Sequence, residues 1–354
     1  MSEAQVEGAR EVRAEDTIDI PALSKWLGSH GVQGTPEIKQ FSGGASNLTY
    51  LLRYPERDLI LRRPPAGHKA KSAHDMRREH FIQSKLKPVF DYVPEMIAFC
   101  EDESVIGSEF YVMQRLEGTI LRSHLPAGFV ANNAETTKLC RDVIDVLAQL
   151  HAVDPVAAGL GELSRGAGYV RRQVEGWSDR YRKARTWNVP PFAWVMDWLA
   201  ANQPDDVRSC VIHNDYRFDN VVLQAQEPHK ILGVLDWEMA TIGDPLMDVG
   251  GALAYWVQAD DDLVFRKLRR QPTHVPGMLT RAEVVEYYCD RAGLSPENWA
   301  FYEVFGLFRL AVIAQQIYYR YHHKQTRNPA FKNYWLMVSY LDWRCKRVIS
   351  RTAG

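Results

Sequence analysis

With 354 residues, the chain is long enough for two domains or two large lobes around a cleft, and 46% hydrophobic with 25% charged residues is an ordinary globular composition. Its 43 Lys and Arg against 44 Asp and Glu leave no global basic field, which excludes nucleic acid as the expected main partner. Val249–Val257 is too short and Gly-rich to cross a bilayer, Ser2–Asp19 lacks the apolar core of a signal peptide, and Cys100, Cys140, Cys210, Cys289 and Cys345 form no C-x-x-C pair, so the expectation is a cytoplasmic protein with reduced thiols and no membrane partner.

Residues 1–35 read as a polar N-terminal extension. Within 36–117, Ile38–Phe41, Leu48–Tyr54 and Leu59–Arg63 are β-prone segments separated by Ser42-Gly-Gly44 and Tyr54-Pro-Glu-Arg-Asp58. Ser72–Lys87 has no Gly or Pro and carries Met76 and Leu86 at helical spacing. Val93–Glu101 and Phe110–Arg115 complete a β-β-β-α-β-β small lobe. From Gly118 to Gly354 the character changes: Leu139, Val143, Leu147 and Leu150 recur at helical spacing, and Tyr169–Arg185 and Phe192–Ala201 predict further helices. Short strands follow at Cys210–His213, Val221–Gln224 and Ile231–Asp236. Thr280-Arg-Ala-Glu283 has the form of a capping box, and Ser295-Pro296 that of an N-cap with Pro at N1. The fold class expected is α+β: a small β-rich lobe, a boundary near Glu117-Gly118, and a large helical lobe.

The chemistry concentrates in His213-Asn-Asp215-Tyr-Arg-Phe-Asp-Asn220 followed by Leu235-Asp236-Trp237. Phosphoryl transfer needs positioning and charge neutralisation more than covalent chemistry. Asp215 is a carboxylate suited to accept the proton of a nucleophilic hydroxyl, and Asn220 follows far enough along a loop to turn back towards a metal. Asp236 closes the apolar strand Ile231–Leu235, so its carboxylate emerges at a strand end, where a hard cation can bind. Asp and Asn also recur in loops as turn formers; three elements in this order make that explanation the weaker one.

These motifs resemble the aminoglycoside phosphotransferase and choline kinase branch of the protein-kinase-like fold, over roughly residues 36–255. The resemblance implies a bilobal kinase-like fold that uses ATP and Mg²⁺. It implies that His213-x-Asp215-x4-Asn220 is the catalytic loop, with Asp215 the base, His213 in structural support, and Asn220 and Asp236 binding magnesium. Trp237-Glu238 stands where protein kinases carry Phe-Gly. Phe41-Ser-Gly-Gly-Ala-Ser-Asn47 resembles the phosphate-covering loop, with Ser42, Gly43 and Gly44 at the approach to phosphate. Arg62 stands where a kinase has its ATP-binding Lys, and a guanidinium keeps the charge while changing the geometry. Glu79 matches the helix glutamate that orients that cation, whereas Arg63, on the other face of the strand, is expected to be solvated. Phe110–Gly118 resembles the interlobe hinge, where Met113 lines the adenine pocket and the backbone of Gln114 and Leu116 binds adenine. Asp248, in Asp244-Pro-x-x-Asp248, corresponds to an aspartate that braces the catalytic loop.

Asp244 comes only eight residues after Asp236, which leaves no room for a peptide-cradling activation segment, so a small-molecule hydroxyl substrate is expected. From Gly250 to Gly354, 15 Lys and Arg against 9 Asp and Glu give a net charge of about +6, which favours an anionic substrate over a polycationic one. Arg320 and His323 share a helical face, and Tyr255 and Trp256 are candidate aromatic walls of an acceptor site. Leu61-Arg-Arg-Pro-Pro-Ala-Gly67 and the catalytic loop are similar to the phosphotransferase domains fused to, or encoded beside, acyl-CoA dehydrogenases. That subgroup implies phosphorylation of a hydroxyacyl-CoA and an acyl-CoA dehydrogenase as partner, since these 354 residues contain no dehydrogenase domain. A competing expectation is a catalytically silent kinase-like module that binds nucleotide or acyl-CoA, for which the missing lysine at Arg62 is the argument.

Overall fold

A computed structural model describes residues 8–41, 47–65, 75–126, 132–225, 227 and 230–352. The chain divides into two compact units, one comprising Met1–Gly118 with Leu232–Glu238 and the other Thr119–Ile231 with Met239–Gly354. The span 232–238, read from sequence as part of the large lobe, therefore groups with the β-rich unit.

In the first unit the order is β1 (Ala9–Arg10), α1 (Ile20–Ser29), β2 (Glu37–Phe41), β3 (Leu48–Arg53), β4 (Asp58–Arg63), α2 (Met76–Leu86), β5 (Met96–Cys100) and β6 (Phe110–Gln114). The strands form one sheet in the order β1-β2-β3-β4-β6-β5. Antiparallel pairing sets Arg53 opposite Asp58, Leu48 opposite Arg63, and Arg62 opposite Tyr111. Because strand side chains alternate, the sheet has two buried faces. Leu59 and Leu61 join Tyr50, Leu52, Phe110 and Val112 in a cluster with Leu23 and Leu27 of α1. Ile60 joins Leu51, Tyr111 and Met113 on the opposite side, with Met76 of α2. The helices are capped by Asp19, which accepts from the Ala22 N–H at 2.9 Å, and Asp75, which accepts from the Arg78 N–H at 2.9 Å.

The N-terminal segment corrects one expectation. Arg63 is buried, not solvated. The Asp16–Thr17 stretch and α1 cover that face of the sheet, and Arg63 donates to the Asp16 carbonyl at 2.8 Å, the Ile106 carbonyl at 3.1 Å and the Tyr50 hydroxyl at 2.9 Å. A guanidinium can be buried at tolerable cost when its donors meet acceptors in this way.

The second unit begins with β7 (Thr119–Ile120), α3 (Asn133–Ala152), α4 (Tyr169–Ala184), α5 (Ala193–Ala201), β8 (Cys210–Ile212) and β9 (Val221–Leu223). After β10 (Ile231–Val234), most of which belongs to the first unit, come β11 (Thr241–Gly243), α6 (Pro245–Leu253), α7 (Leu263–Lys267), α8 (Arg281–Ala292), α9 (Trp299–His322) and α10 (Tyr334–Thr352). Strands β8 and β11 pair antiparallel, as do β7 and β9. Reciprocal capping boxes start α3 (Asn132 with Glu135) and α8 (Thr280 with Glu283).

The expected start at Ser295-Pro296 does not hold. Helix α9 begins after Asn298, whose φ of 60° interrupts the turn, and the Ser295 hydroxyl accepts from the Glu297 N–H at 3.3 Å instead. Helix α9 is long and apolar enough by composition to cross a bilayer, but it is mostly buried and serves as the core helix of this unit. Its crossing with α6 is backbone against backbone: a Cβ on Gly306 would lie 2.1 Å from the Gly250 carbonyl oxygen, so neither position admits a side chain without displacement.

Candidate active site

The first unit assembles a cation among carboxylates. Arg62, on β4, donates from Nη1 to Glu79 Oε1 at 2.6 Å and from Nη2 to Asp236 Oδ1 at 3.2 Å, and Glu238 Oε2 lies 3.8 Å away. The Tyr111 hydroxyl adds a second donor to Glu79 Oε1 at 2.8 Å. Burial works to lower the Arg62 pKa, but Tyr111, Glu79, Asp236 and Glu238 outweigh it, so the guanidinium stays charged. Burial pushes the Glu79 carboxyl up, against the pull of Arg62 and Tyr111. Arg62 Nε and Glu79 Oε2 are buried with no hydrogen-bond partner among the described residues.

Asp236 is held where it is by its neighbours. Trp237, fully buried, donates from Nε1 to the Val234 carbonyl at 2.8 Å and packs edge-on against Phe90, while the Val234 N–H reaches the Tyr92 carbonyl at 2.7 Å. The large indole in place of phenylalanine thus anchors the segment. Asp236 itself takes a φ of 68°, a conformation that short polar side chains tolerate, and its carboxylate remains about a third exposed.

The second unit holds the loop that follows β8. Asn220 donates from Nδ2 to the Asp215 carbonyl oxygen at 2.8 Å and to Asp215 Oδ2 at 3.1 Å. Arg217 Nη2 lies 3.3 Å from Asp215 Oδ2, its Nε 3.1 Å from Asp219 Oδ1, and its guanidinium sits over the Tyr255 ring at 4.7 Å. The Phe218 N–H is accepted by Gln271 Oε1 at 2.8 Å. His213 is fully buried, and its Nδ1 accepts from the Asp215 N–H at 3.2 Å.

Asp248 braces this loop directly. Its Oδ2 accepts from the His213 N–H at 2.8 Å and its Oδ1 from the Asn214 N–H at 2.8 Å. His151 Nε2 lies 3.1 Å from Oδ2, and His151 Nδ1 lies 2.6 Å from the Tyr288 hydroxyl. Burial would raise the Asp248 carboxyl, but His151, His213 and the backbone N–H groups outweigh it and hold it below the ordinary range. From α9, Arg309 donates to the Asn214 carbonyl at 2.6 Å. Asn214, with a φ of 65°, is therefore clamped at both its N–H and its C=O. Sequence reasoning singled out neither His151, Gln271 nor Arg309. A lone Arg within the apolar run Val304–Ala314 was the available signal for the last of them.

Other candidates are placed differently. Tyr255 lies under Arg217, and its phenol is raised first by burial and then by the charge of Asp215. Trp256 is not an acceptor wall: it is buried, with Nε1 donating to the Leu279 carbonyl at 3.0 Å and its ring against Phe218. Arg320 and His323 are exposed at the far end of α9, eleven residues and ~16 Å along the axis beyond Arg309, so the structure does not group them with the loop. Met113 is buried between Ile60 and Leu51 in the sheet cluster. The Gln114 N–H is engaged by the Glu95 carbonyl at 2.8 Å, and Leu116 packs on Gly233, whose missing Cβ would meet it at 2.4 Å. Ser42, Gly43 and Gly44 lie outside the described residues.

Each unit by itself holds donors that suit a nucleotide or a hard cation. Arg62 retains a buried, unpartnered Nε–H beside carboxylates that exceed it in charge, and Asp236 offers an accessible carboxylate. The Asn220 amide donates twice from Nδ2 to Asp215, which turns its oxygen, the end a cation binds, away from that residue. Magnesium is commonly held by one or two such groups together with phosphate oxygens.

A carboxylate beside an asparagine on a braced loop, together with an Arg–Glu pair on a strand and helix, defines a kinase-like phosphotransferase. The chain belongs to the phosphotransferase enzyme family (APH), whose family model matches residues 37–300. It is 35% identical over 321 residues to acyl-CoA dehydrogenase family member 10 of Mus musculus, covering 89% of this chain and 30% of that protein. It is 33% identical to acyl-CoA dehydrogenase family member 11 of Homo sapiens, covering 88% of this chain and 40% of that protein. The chain thus spans well under half the length of these curated relatives. Among solved structures, a Ralstonia eutropha JMP134 protein named for the aminoglycoside phosphotransferases superposes with a TM-score of 0.78 at 30% identity, covering 94% of this chain and 99% of that one. A thermostable mutant of aminoglycoside phosphotransferase APH(4)-Ia, solved with AMP-PNP and hygromycin B, shares the fold with a TM-score of 0.60 at 16% identity, covering 94% of this chain and 99% of that one.

Proposed function

We propose that the chain is an ATP- and magnesium-dependent phosphotransferase that moves the γ-phosphate to a hydroxyl of a small molecule. The observation that carries this reading is Asn220 Nδ2 on Asp215 Oδ2 at 3.1 Å, on a loop braced by Asp248 through two backbone N–H groups at 2.8 Å. Asp215 is the base: its carboxylate takes the proton of the acceptor hydroxyl. Asn220 and Arg217 orient that carboxylate, and Arg62, held by Glu79, grips phosphate oxygens. Asp236 and Asn220 are the groups that would hold magnesium, which supplies neutralisation of the phosphate charge. Met113, Gln114 and Leu116 are assigned to the adenine side of the nucleotide.

The acceptor we propose is a hydroxyacyl-CoA, with an acyl-CoA dehydrogenase as partner. This is supported by the names of the curated relatives and by the cationic balance of residues 250–354. All five cysteines are free and buried, which supports a cytoplasmic setting. The test is ADP release by the wild type and by Asp215→Asn across hydroxyacyl-CoAs, amino alcohols, sugars and aminoglycosides. The variant should lose turnover by about 10³-fold or more while binding ATP as before. Turnover that survives the substitution removes Asp215 as base, and a preference for aminoglycosides removes the acyl-CoA assignment. ATP binding without any turnover, insensitive to magnesium, would instead identify a silent binding module.

A further inference from the structure

The second unit carries a group of cations beside the catalytic loop. Arg122 and His124 follow β7, and Arg266, Arg269, Arg270 and His274 lie in and after α7. Arg269 donates from Nε to the Ser123 carbonyl at 3.2 Å, and its Nη2 lies 3.2 Å from His124 Nε2. Arg270 Nη2 reaches the Tyr334 hydroxyl at 3.5 Å. None of the four arginines forms an ion pair with a described carboxylate; Arg122, Arg266 and Arg270 are exposed, whereas Arg269 is half-buried, as are Arg217, Arg281 and Arg344, which do pair. Asp219 lies 3.1 Å from Arg217 Nε, and the charges of Arg122 and Arg270 also act on its carboxyl.

Two further features separate this patch from an ordinary solvated face. It is tethered to the catalytic loop, because Gln271, the residue after Arg270, accepts from the Phe218 N–H at 2.8 Å. Its cations are also held against one another: positive charge from Arg269, His124 and Arg266 adds to burial in lowering the His274 pKa, so the local potential is positive. Keeping like charges together in excess of nearby carboxylates disfavours the free protein, and a ligand anion reduces that cost. Several guanidinium groups at one place suit phosphate oxygens, which they bind through paired, charge-assisted hydrogen bonds.

We propose that Arg122, His124, Arg269 and Arg270 form a subsite for the phosphate groups of the acceptor's carrier moiety, an inference that rests on the phosphotransferase reading with a CoA thioester as acceptor. The hydroxyl end of such an acceptor would go to Asp215 and its nucleotide phosphates to this patch. A pantetheine thioester, which lacks those phosphates, should gain nothing from it.

The test uses the full chain and two variants, Arg269→Gln/Arg270→Gln and the single Arg270→Gln, which gives up a long contact to Tyr334 and a charge interaction with Asp219. Calorimetric titration with 3′,5′-ADP, CoA and pantetheine reads the subsite without requiring turnover. The double variant should weaken binding of 3′,5′-ADP and CoA about tenfold or more, the single variant less, and that of pantetheine by no more than about twofold. In turnover, the double variant should raise KM for the CoA thioester by the same factor and leave the KM for the pantetheine thioester within about twofold. Unchanged CoA binding in the double variant overturns the subsite, even where hydroxyacyl-CoA turnover upholds the phosphotransferase reading. Binding of 3′,5′-ADP that the variants lose, in a chain that transfers no phosphate, upholds the subsite and overturns that reading. Inorganic phosphate that displaces 3′,5′-ADP at equal concentration marks a general anion site and overturns the assignment to the carrier.

Discussion

Arg309 donates from Nη2 to the Asn214 carbonyl at 2.6 Å, with its side chain over Trp177 and only 7% of the residue exposed. Among the described residues it forms no ion pair, and its Nε has no hydrogen-bond partner. A buried cation so placed is a poor contributor to stability. Its consequence is local: with Asp248 on the Asn214 N–H, it fixes the residue that precedes Asp215. Arg309→Met should therefore lower kcat about 100-fold and shift Tm by only a few degrees, while Arg309→Lys should recover part of the rate. Gly251→Ala provides an independent route, because a Cβ there would stand 2.7 Å from Arg309 Nη1. Steady-state kinetics and circular-dichroism melts check both, and a large loss of Tm with little loss of kcat would contradict the clamp.

Asp248→Asn leaves a single acceptor oxygen for two backbone N–H groups that now have one each. The expected loss is about 3 kcal/mol of stability, read by urea denaturation at pH 7. His151→Gln should cost less, because the two backbone contacts remain.

Arg62→Lys keeps the charge but replaces two separately directed N–H donors, one to Glu79 and one to Asp236, by a single ammonium. ATP affinity should fall about tenfold for lysine and further for methionine, as measured by fluorescence titration with Mg²⁺ present. Tighter ATP binding in the lysine variant would remove Arg62 from the nucleotide site.

Arg320→Ala and His323→Ala should leave kcat/KM within about twofold of wild type, since both side chains project from the exposed end of α9. A tenfold effect in the ADP-release assay would bring them back as acceptor ligands.

Asp244 caps α6 through the Leu246 and Met247 N–H groups and also accepts from the Val207 N–H at 2.7 Å. Burial nevertheless pushes its carboxyl up to about 6. The folded chain therefore holds a proton that the unfolded chain releases at about pH 4. This contribution to stability is fully present below that value and is lost as pH rises through 6. Asp244→Asn cannot titrate, so relative to it the wild type should lose on the order of 3 kcal/mol between pH 4 and 6. Denaturation curves at pH 4, 5, 6 and 7 test this, and parallel pH profiles would refute it.

The sequence by itself determined what local pattern can carry. Short β-prone runs between turn residues specified strands, helical spacing specified α2 and α3, and the five-residue step from Asp215 to Asn220 is short enough for one side chain to reach the other. The capping box at Thr280 was legible for the same reason, because its partners lie three residues apart. Tertiary structure decided the rest. Arg63 was buried by a segment some 46 residues earlier, Asn214 was clamped by Arg309 from 95 residues later, and Asp248 was held by His151 across 97. It also placed Asp236 in the β-rich unit, on Arg62, although 174 residues separate the two. Each of these is a polar contact whose partner is fixed only when distant apolar surfaces pack, and burial of those surfaces leaves no trace in the local spacing of the polar residues they bring together.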